Sequence, residues 1–127
     1  MARNEVFKNA DYLSLPVATG ALSGSPVRIG GLNGVLQTNE GSVDKPAGDY
    51  NEAPSSNEAG YASVALKGAF RLNVTTATTL AVGAPVYIIT ATNVLTTTDN
   101  SGANPLFGHA LSAKGNTAGP VIVRIAN

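Results

Sequence analysis

His109 is the single histidine of the chain, so any Ser/His/acid catalysis would have to use it. Such a site needs a serine and a carboxylate held beside the imidazole. No Gly-x-Ser-x-Gly elbow exists; Leu22 to Val27, LSGSPV, has the letters of a turn in another order. His109 sits in an alternating stretch and reads as a surface or structural residue. Carboxylates could form an acid/base pair, but five of the eight (Glu40, Asp44, Asp49, Glu52 and Glu58) fall in one soft polar stretch, residues 39–60. Catalytic carboxylates need fixed separations and environments that drive their pKa values apart. The same stretch lacks the Asp/Asn ladder of a calcium loop. It is expected to be a solvated acidic face, and neither a catalytic residue nor a metal site is expected anywhere.

A nucleotide would need a phosphate cradle. Lys67 and Lys114 each precede a glycine, the reverse of the Gly-Lys order in a phosphate loop, and no Gly-x-Gly-x-x-Gly opens a helix. With no cysteine there is no disulfide, thiolate ligand or thiol nucleophile. Formal charge is zero, and the basic residues are scattered without interleaved aromatics, so no nucleic-acid partner is expected. No apolar run approaches the length of a membrane span, and no basic start leads into one, so neither membrane nor secretory signal is expected. The glycosylation sequon at Asn73-Val74-Thr75 is discounted on that ground. No cofactor is expected, and the chain does not read as an enzyme.

The elements that would position any site are strands. Only 13% of the 127 residues are charged, too few for solvated helices, while Thr, Ser, Asn and Gly are abundant. Leu13, Leu15 and Val17 alternate with polar or small residues over 11–17. PVRIG at 26–30 and GVLQT at 34–38 follow, then, beyond the acidic stretch, ASVALKG at 62–68 and AFRLNV at 69–74. PVYII, NVLTTT, LFGHALSA and PVIVRIA complete the pattern. Eight or nine short strands separated by turns predict an all-β barrel or sandwich in one domain, residues 11–127, with a long acidic loop at 39–60. Residues 1–10 precede the first strand and are expected to form an extended N-terminal arm.

GSPVRI (Gly24 to Ile29) recurs as GAPVYI (Gly83 to Ile88), 59 positions later, and VLQT (Val35 to Thr38) recurs as VLTT (Val94 to Thr97) at the same offset. Two matched blocks at one offset predict an internal duplication, one supersecondary unit used twice with each copy covering the other's apolar face.

The order of these pieces carries a resemblance. The start MARNEVF, the block SGSPVRIGGLNGV, the strand VALKGAFRL, the block GAPVYI, the segment PLFGHAL and the ending VIVRI together resemble the small phage capsid cement, or head decoration, proteins. Many members of that family carry a label as RecA/RadA-family phage recombinases, a label this chain's lack of a phosphate loop does not support. The resemblance implies a homotrimer on the outer surface of the virion, clamping neighbouring subunits of the major capsid protein. An arm with two cations and two apolar side chains suits such a contact, and Arg3, Asn4, Val6, Phe7 and Lys8 are the candidate residues. The alternative is a β-type binding module for carbohydrate or a receptor, displayed on a virion. Such sites favour exposed aromatics; there is no Trp, and Tyr50 alone among the tyrosines lies firmly in a loop.

Overall fold

The computed structural model describes residues 3–4, 6–7, 9–43, 57–75 and 78–127. Among these, alternation of apolar and polar side chains sets nine strands and no helix: β1 (Tyr12–Pro16), β2 (Pro26–Ile29), β3 (Leu32–Leu36), β4 (Tyr61–Ala65), β5 (Ala69–Val74), β6 (Pro85–Ile89), β7 (Val94–Thr96), β8 (Leu106–Ala110) and β9 (Gly119–Ile125). The pleat turns Leu72 and Val74 of β5 inward and Arg71 and Asn73 outward, and β9 buries Val121, Val123 and Ile125 while exposing Arg124. Each fully buried aliphatic side chain contributes about 1.5–3 kcal/mol.

The strands form two bodies. β1, β4, β3 and β2 lie in that order in an open antiparallel sheet. β5, β7, β6, β8 and β9 close into a barrel, antiparallel except where β5 meets β7 at Val74 and Leu95. Val74, Val86, Ile88, Leu95, Phe107 and Val123 fill the barrel, and Val27, Leu36, Ala62 and Val64 form a smaller core under the sheet.

The internal duplication is present in the pairing, and it runs deeper than the matched sequence blocks. β1, β2, β3 and β4 correspond to β5, β6, β8 and β9. Leu13 faces Val64 as Phe70 faces Val123, and Leu15 faces Ala62 as Leu72 faces Val121. Pro26 faces Val35 as Pro85 faces His109, and Val27 faces Gly34 as Val86 faces Gly108. Leu36 faces Val64 as Ala110 faces Val123. Turn bonds repeat as well: Gly24 N–H donates to Leu36 O (2.8 Å) as Gly83 N–H donates to Ala110 O (2.7 Å). Gly24 and Gly83 share a left-handed backbone, φ 86° and 88°, which a side chain rarely adopts.

The block Gly-x-Pro-Val-x-Ile therefore marks true counterparts, but VLQT and VLTT do not. VLQT belongs to β3, whose counterpart by register is β8; VLTT belongs to β7, an additional strand with no partner in the first half. The match arose because both segments follow a hairpin turn and bury a leucine, Leu36 or Leu95. β7 closes the barrel by bridging β6 and β5, while no described strand bridges β2 and β1.

The halves are joined by a polar seam. Asn33, buried on β3, donates from Nδ2 to Leu106 O (2.9 Å) and Ala126 O (2.7 Å), and its Oδ1 accepts from Arg28 (2.6 Å). Asn127 accepts from Asn33 N–H (2.8 Å) and donates to Asn33 O (2.9 Å) and Leu66 O (2.7 Å).

Candidate functional site

His109 lies on the outer face of β8, exposed, opposite Pro85 on one side and Arg124 on the other. Its cross-strand neighbours supply no carboxylate and no serine. Among the described residues no group of three or more His, Asp or Glu side chains is placed to hold a metal. Among the described residues the clefts gather no nucleophile with a base: one of 530 Å³ is lined by Leu13, Leu32, Leu66 and Ile125 together with Asp11, Lys67 and Arg124. The surface offers recognition chemistry, and two internal charges shape the loops that present it.

Glu40 departs from the expected solvated face, because it is fully buried. Its carboxylate accepts from the Ser42 hydroxyl and from Ser42 N–H, each at 2.5 Å. These two bonds hold its pKa below the usual carboxylate range; burial opposes them, and the N–H groups of Gly60 and Gly20 add to the lowering. Its own N–H donates to Ala21 O (2.8 Å). One side chain thus ties together residues 20–21, 40–42 and 60. Lys114 holds the corresponding place in the barrel half. It is 8% exposed, its Nζ donates to Thr78 O (2.6 Å), Gly115 O (3.1 Å) and Thr117 O (3.1 Å), and its N–H donates to Leu80 O (2.8 Å). Neither residue was marked by sequence reasoning. The signal was there: Leu32 to Gly41 and Leu106 to Gly115 share Leu-x-Gly, five residues, an ionisable residue and Gly, 74 positions apart.

The arm candidates are placed as follows. Arg3 and Asn4 lie in an exposed turn; Val6 and Phe7 are 82% and 60% exposed. No described residue before Tyr12 belongs to a strand. Lys8 lies outside the described residues, as do Asp44, Asp49, Tyr50 and Glu52 of the acidic stretch. Glu58 is exposed, whereas Gly41 is buried so closely that a Cβ there would meet Asn57 O and Glu58 O at 2.2 Å.

The first sheet presents an edge. Leu66 N–H donates to Asp11 O, and Val17 N–H donates to Gly60 O. Odd-numbered residues of β1 therefore direct their backbone groups to β4, so Tyr12 and Ser14 direct theirs to the outer edge, and Pro16 has no N–H to offer. A 340 Å³ cleft continues from this edge, walled by Ala18 to Ala21 on one side and Ser25 to Val27 on the other, with Leu36 and with Thr92 and Asn93 of the β6–β7 turn completing its lining.

No curated protein and no solved structure matches the chain. A family model does: the one described as phage cement protein matches residues 7–125.

Proposed function

Because the chain belongs to the phage cement protein family, whose members have a structural, capsid-associated role and are not an enzyme family, we propose that it decorates the outer surface of a phage shell as a homotrimer bound to subunits of the major capsid protein. The family match across residues 7–125 carries this reading. Three copies that engage three neighbouring subunits gain avidity from a small interface each. The domain, residues 11–127, is the rigid body, and residues 1–10 are the arm.

The arm makes the contact: Arg3, Asn4, Val6, Phe7 and Lys8. Val6 and Phe7 expose apolar surface that a monomer in water gains nothing by displaying. Phe7 is the anchor, and truncating a buried aromatic anchor typically costs about 2 kcal/mol or more. Arg3 and Lys8 suit an acidic rim and make the binding salt-sensitive.

Purified protein added to expanded, undecorated shells tests the reading by electron cryomicroscopy. Density at threefold and quasi-threefold positions outside the shell is expected; bare shells at saturating protein overturn it. A chain lacking residues 2–8 should stay folded and fail to decorate. Decoration at full affinity by that chain would show that the β body makes the contact.

A further inference from the structure

We infer that the open side of the first sheet receives the N-terminal segment of a second copy, whose Val6 and Phe7 supply the strand that β7 supplies in the barrel. The inference rests on the homotrimer reading above but moves Val6 and Phe7 from the shell contact to a neighbouring copy.

The molecule contains its own template. The same four strands occur twice in matching registers, apart from a bulge at Val86 and Tyr87 where β6 meets β8, and among the described residues only the second set is closed by a fifth. β7 sets Leu95 beside Val74 and Ile88, both fully buried. Their counterparts, Val17 and Ile29, are half-buried, and no described strand covers them. The 340 Å³ cleft begins at Ala18, next to Val17, and runs between the chain that leaves β1 and the chain that enters β2, with Thr92 and Asn93 of the β6–β7 turn also lining it. The backbone tells the same story. Tyr87 pairs with Thr96 of β7, whereas its counterpart Arg28 directs its N–H to Asn93 Oδ1 at 3.3 Å. That long bond to a side chain stands where a strand carbonyl would sit.

The occupant follows from pattern and direction. β7 and the residue before it read Asn93-Val94-Leu95-Thr96, and the arm reads Glu5-Val6-Phe7-Lys8, in each case polar, Val, large apolar, polar. Phe7 then takes the place of Leu95. β7 runs parallel to β5, so a guest in the same place runs parallel to β1. A chain cannot provide this strand to itself. Only Asn9, Ala10 and Asp11 separate Lys8 from Tyr12, and a parallel connection needs roughly a dozen residues. A neighbour's arm has no such limit, and in a closed ring each copy gives one arm and receives one. Arg3 and Asn4, ahead of the inserted pair, are left for the shell.

Because the chain has no cysteine, a double variant Phe7→Cys/Val17→Cys reports the contact directly. Under mild oxidation it should give covalent dimers and trimers that reductant disperses, while Val17→Cys alone stays monomeric on a denaturing gel and Phe7→Cys alone stops at dimer. An oligomer whose double variant gives only monomer, or an intramolecular disulfide by mass, overturns the inference. As a second variant, Phe7→Asp changes an exposed residue and leaves the fold intact; self-association should weaken at least tenfold, and unchanged association overturns the exchange. A protein that crosslinks as expected yet leaves shells bare supports the exchange and sinks the cement reading, so the two failures are distinguishable.

Discussion

Glu40 and Lys114 occupy the same place in the two halves of the molecule and carry opposite charges. Each follows its strand by four residues, counting from Leu36 and Ala110, and each pairs its N–H with the residue three before the left-handed glycine, Ala21 or Leu80. Backbone N–H groups and a hydroxyl surround the carboxylate, and carbonyls surround the ammonium. A loop crossing can turn either end of its peptide dipoles inward, so the position demands a long, hydrogen-bonding side chain and is indifferent to its sign. The halves differ in a second way, since one is closed by β7 and the other is open. Duplication has kept the registers and let the chemistry at the crossings and the edges diverge.

The sharpest way to break the correspondence is at Gly34 and Gly108. A Cβ at Gly108 would meet Arg124 O at 2.1 Å, and one at Gly34 would meet Val64 Cγ1 at 2.4 Å and Ala65 O at 2.9 Å. These are counterpart contacts on β9 and β4. Backbone cannot yield as a methyl group can, so Gly108→Ala should cost about 3 kcal/mol or more and Gly34→Ala about 1–2 kcal/mol. Urea unfolding followed by circular dichroism measures both; equal costs would show that the two glycines are held alike and that the backbone contact at Gly108 is no harder to relieve.

Asn33 tests what is unique to the first half. Its counterpart by position before the glycine is Phe107, which falls at the bulge between β6 and β8 and whose side chain fills the barrel, whereas the Asn33 side chain bonds to Leu106 O, Ala126 O and Arg28. Asn33→Ala takes a donor from the part-buried carbonyls of Leu106 and Ala126 and should cost about 2 kcal/mol. If the seam joins the halves, the loss appears as broader, less cooperative unfolding.

The strands were legible because each has a clean period of two and a turn at both ends, as in AFRLNV and PVIVRI. The duplication was legible where backbone geometry restricts the residue, at Gly24 and Gly83 and at the prolines that open β2 and β6. It was misread where packing alone decides. Leu36 and Leu95 are both buried leucines after a hairpin turn, but pairing with a distant strand, β4 in one case and β5 in the other, sets their roles. Composition also concealed Glu40. Four further acids and many small polar residues surround it in sequence, and nothing local says that Gly20 and Gly60 converge on its carboxylate.

The buried carboxylate responds to acid. The folded-state pKa of Glu40 is lowered, so its contribution is fully present above the ordinary value of 4.5 and is lost as pH falls through the depressed value. Glu40→Gln should lower the Tm near neutral pH, and the gap between variant and parent should close as pH falls below 4.5 and through the depressed value, where the parent's carboxylate protonates. Lys114→Met should lower stability by about 1 kcal/mol, because it removes the donors to Thr78 O, Gly115 O and Thr117 O. Thermal melts at pH 3, 5 and 7 check both; a gap for Glu40→Gln that widens in acid would contradict the hydrogen-bonded carboxylate.

The smallest effect bears most directly on the open edge. Ile29 and Ile88 are counterparts, but β7 covers only Ile88. Ile88→Val removes a methylene from a sealed core and should cost about 1 kcal/mol at any protein concentration. Ile29→Val removes the same group from a half-buried site, so in dilute protein it should cost only a few tenths of a kcal/mol. If a neighbour's arm covers Ile29 when copies associate, that cost must rise toward the Ile88 value as concentration rises, because the variant then loses packing in the assembly as well as in the monomer. Parallel unfolding curves across a hundredfold range of concentration read this out. Convergence of the two costs locates the missing cover at Ile29; a difference that stays constant while the protein oligomerises would mean that copies meet through some other face.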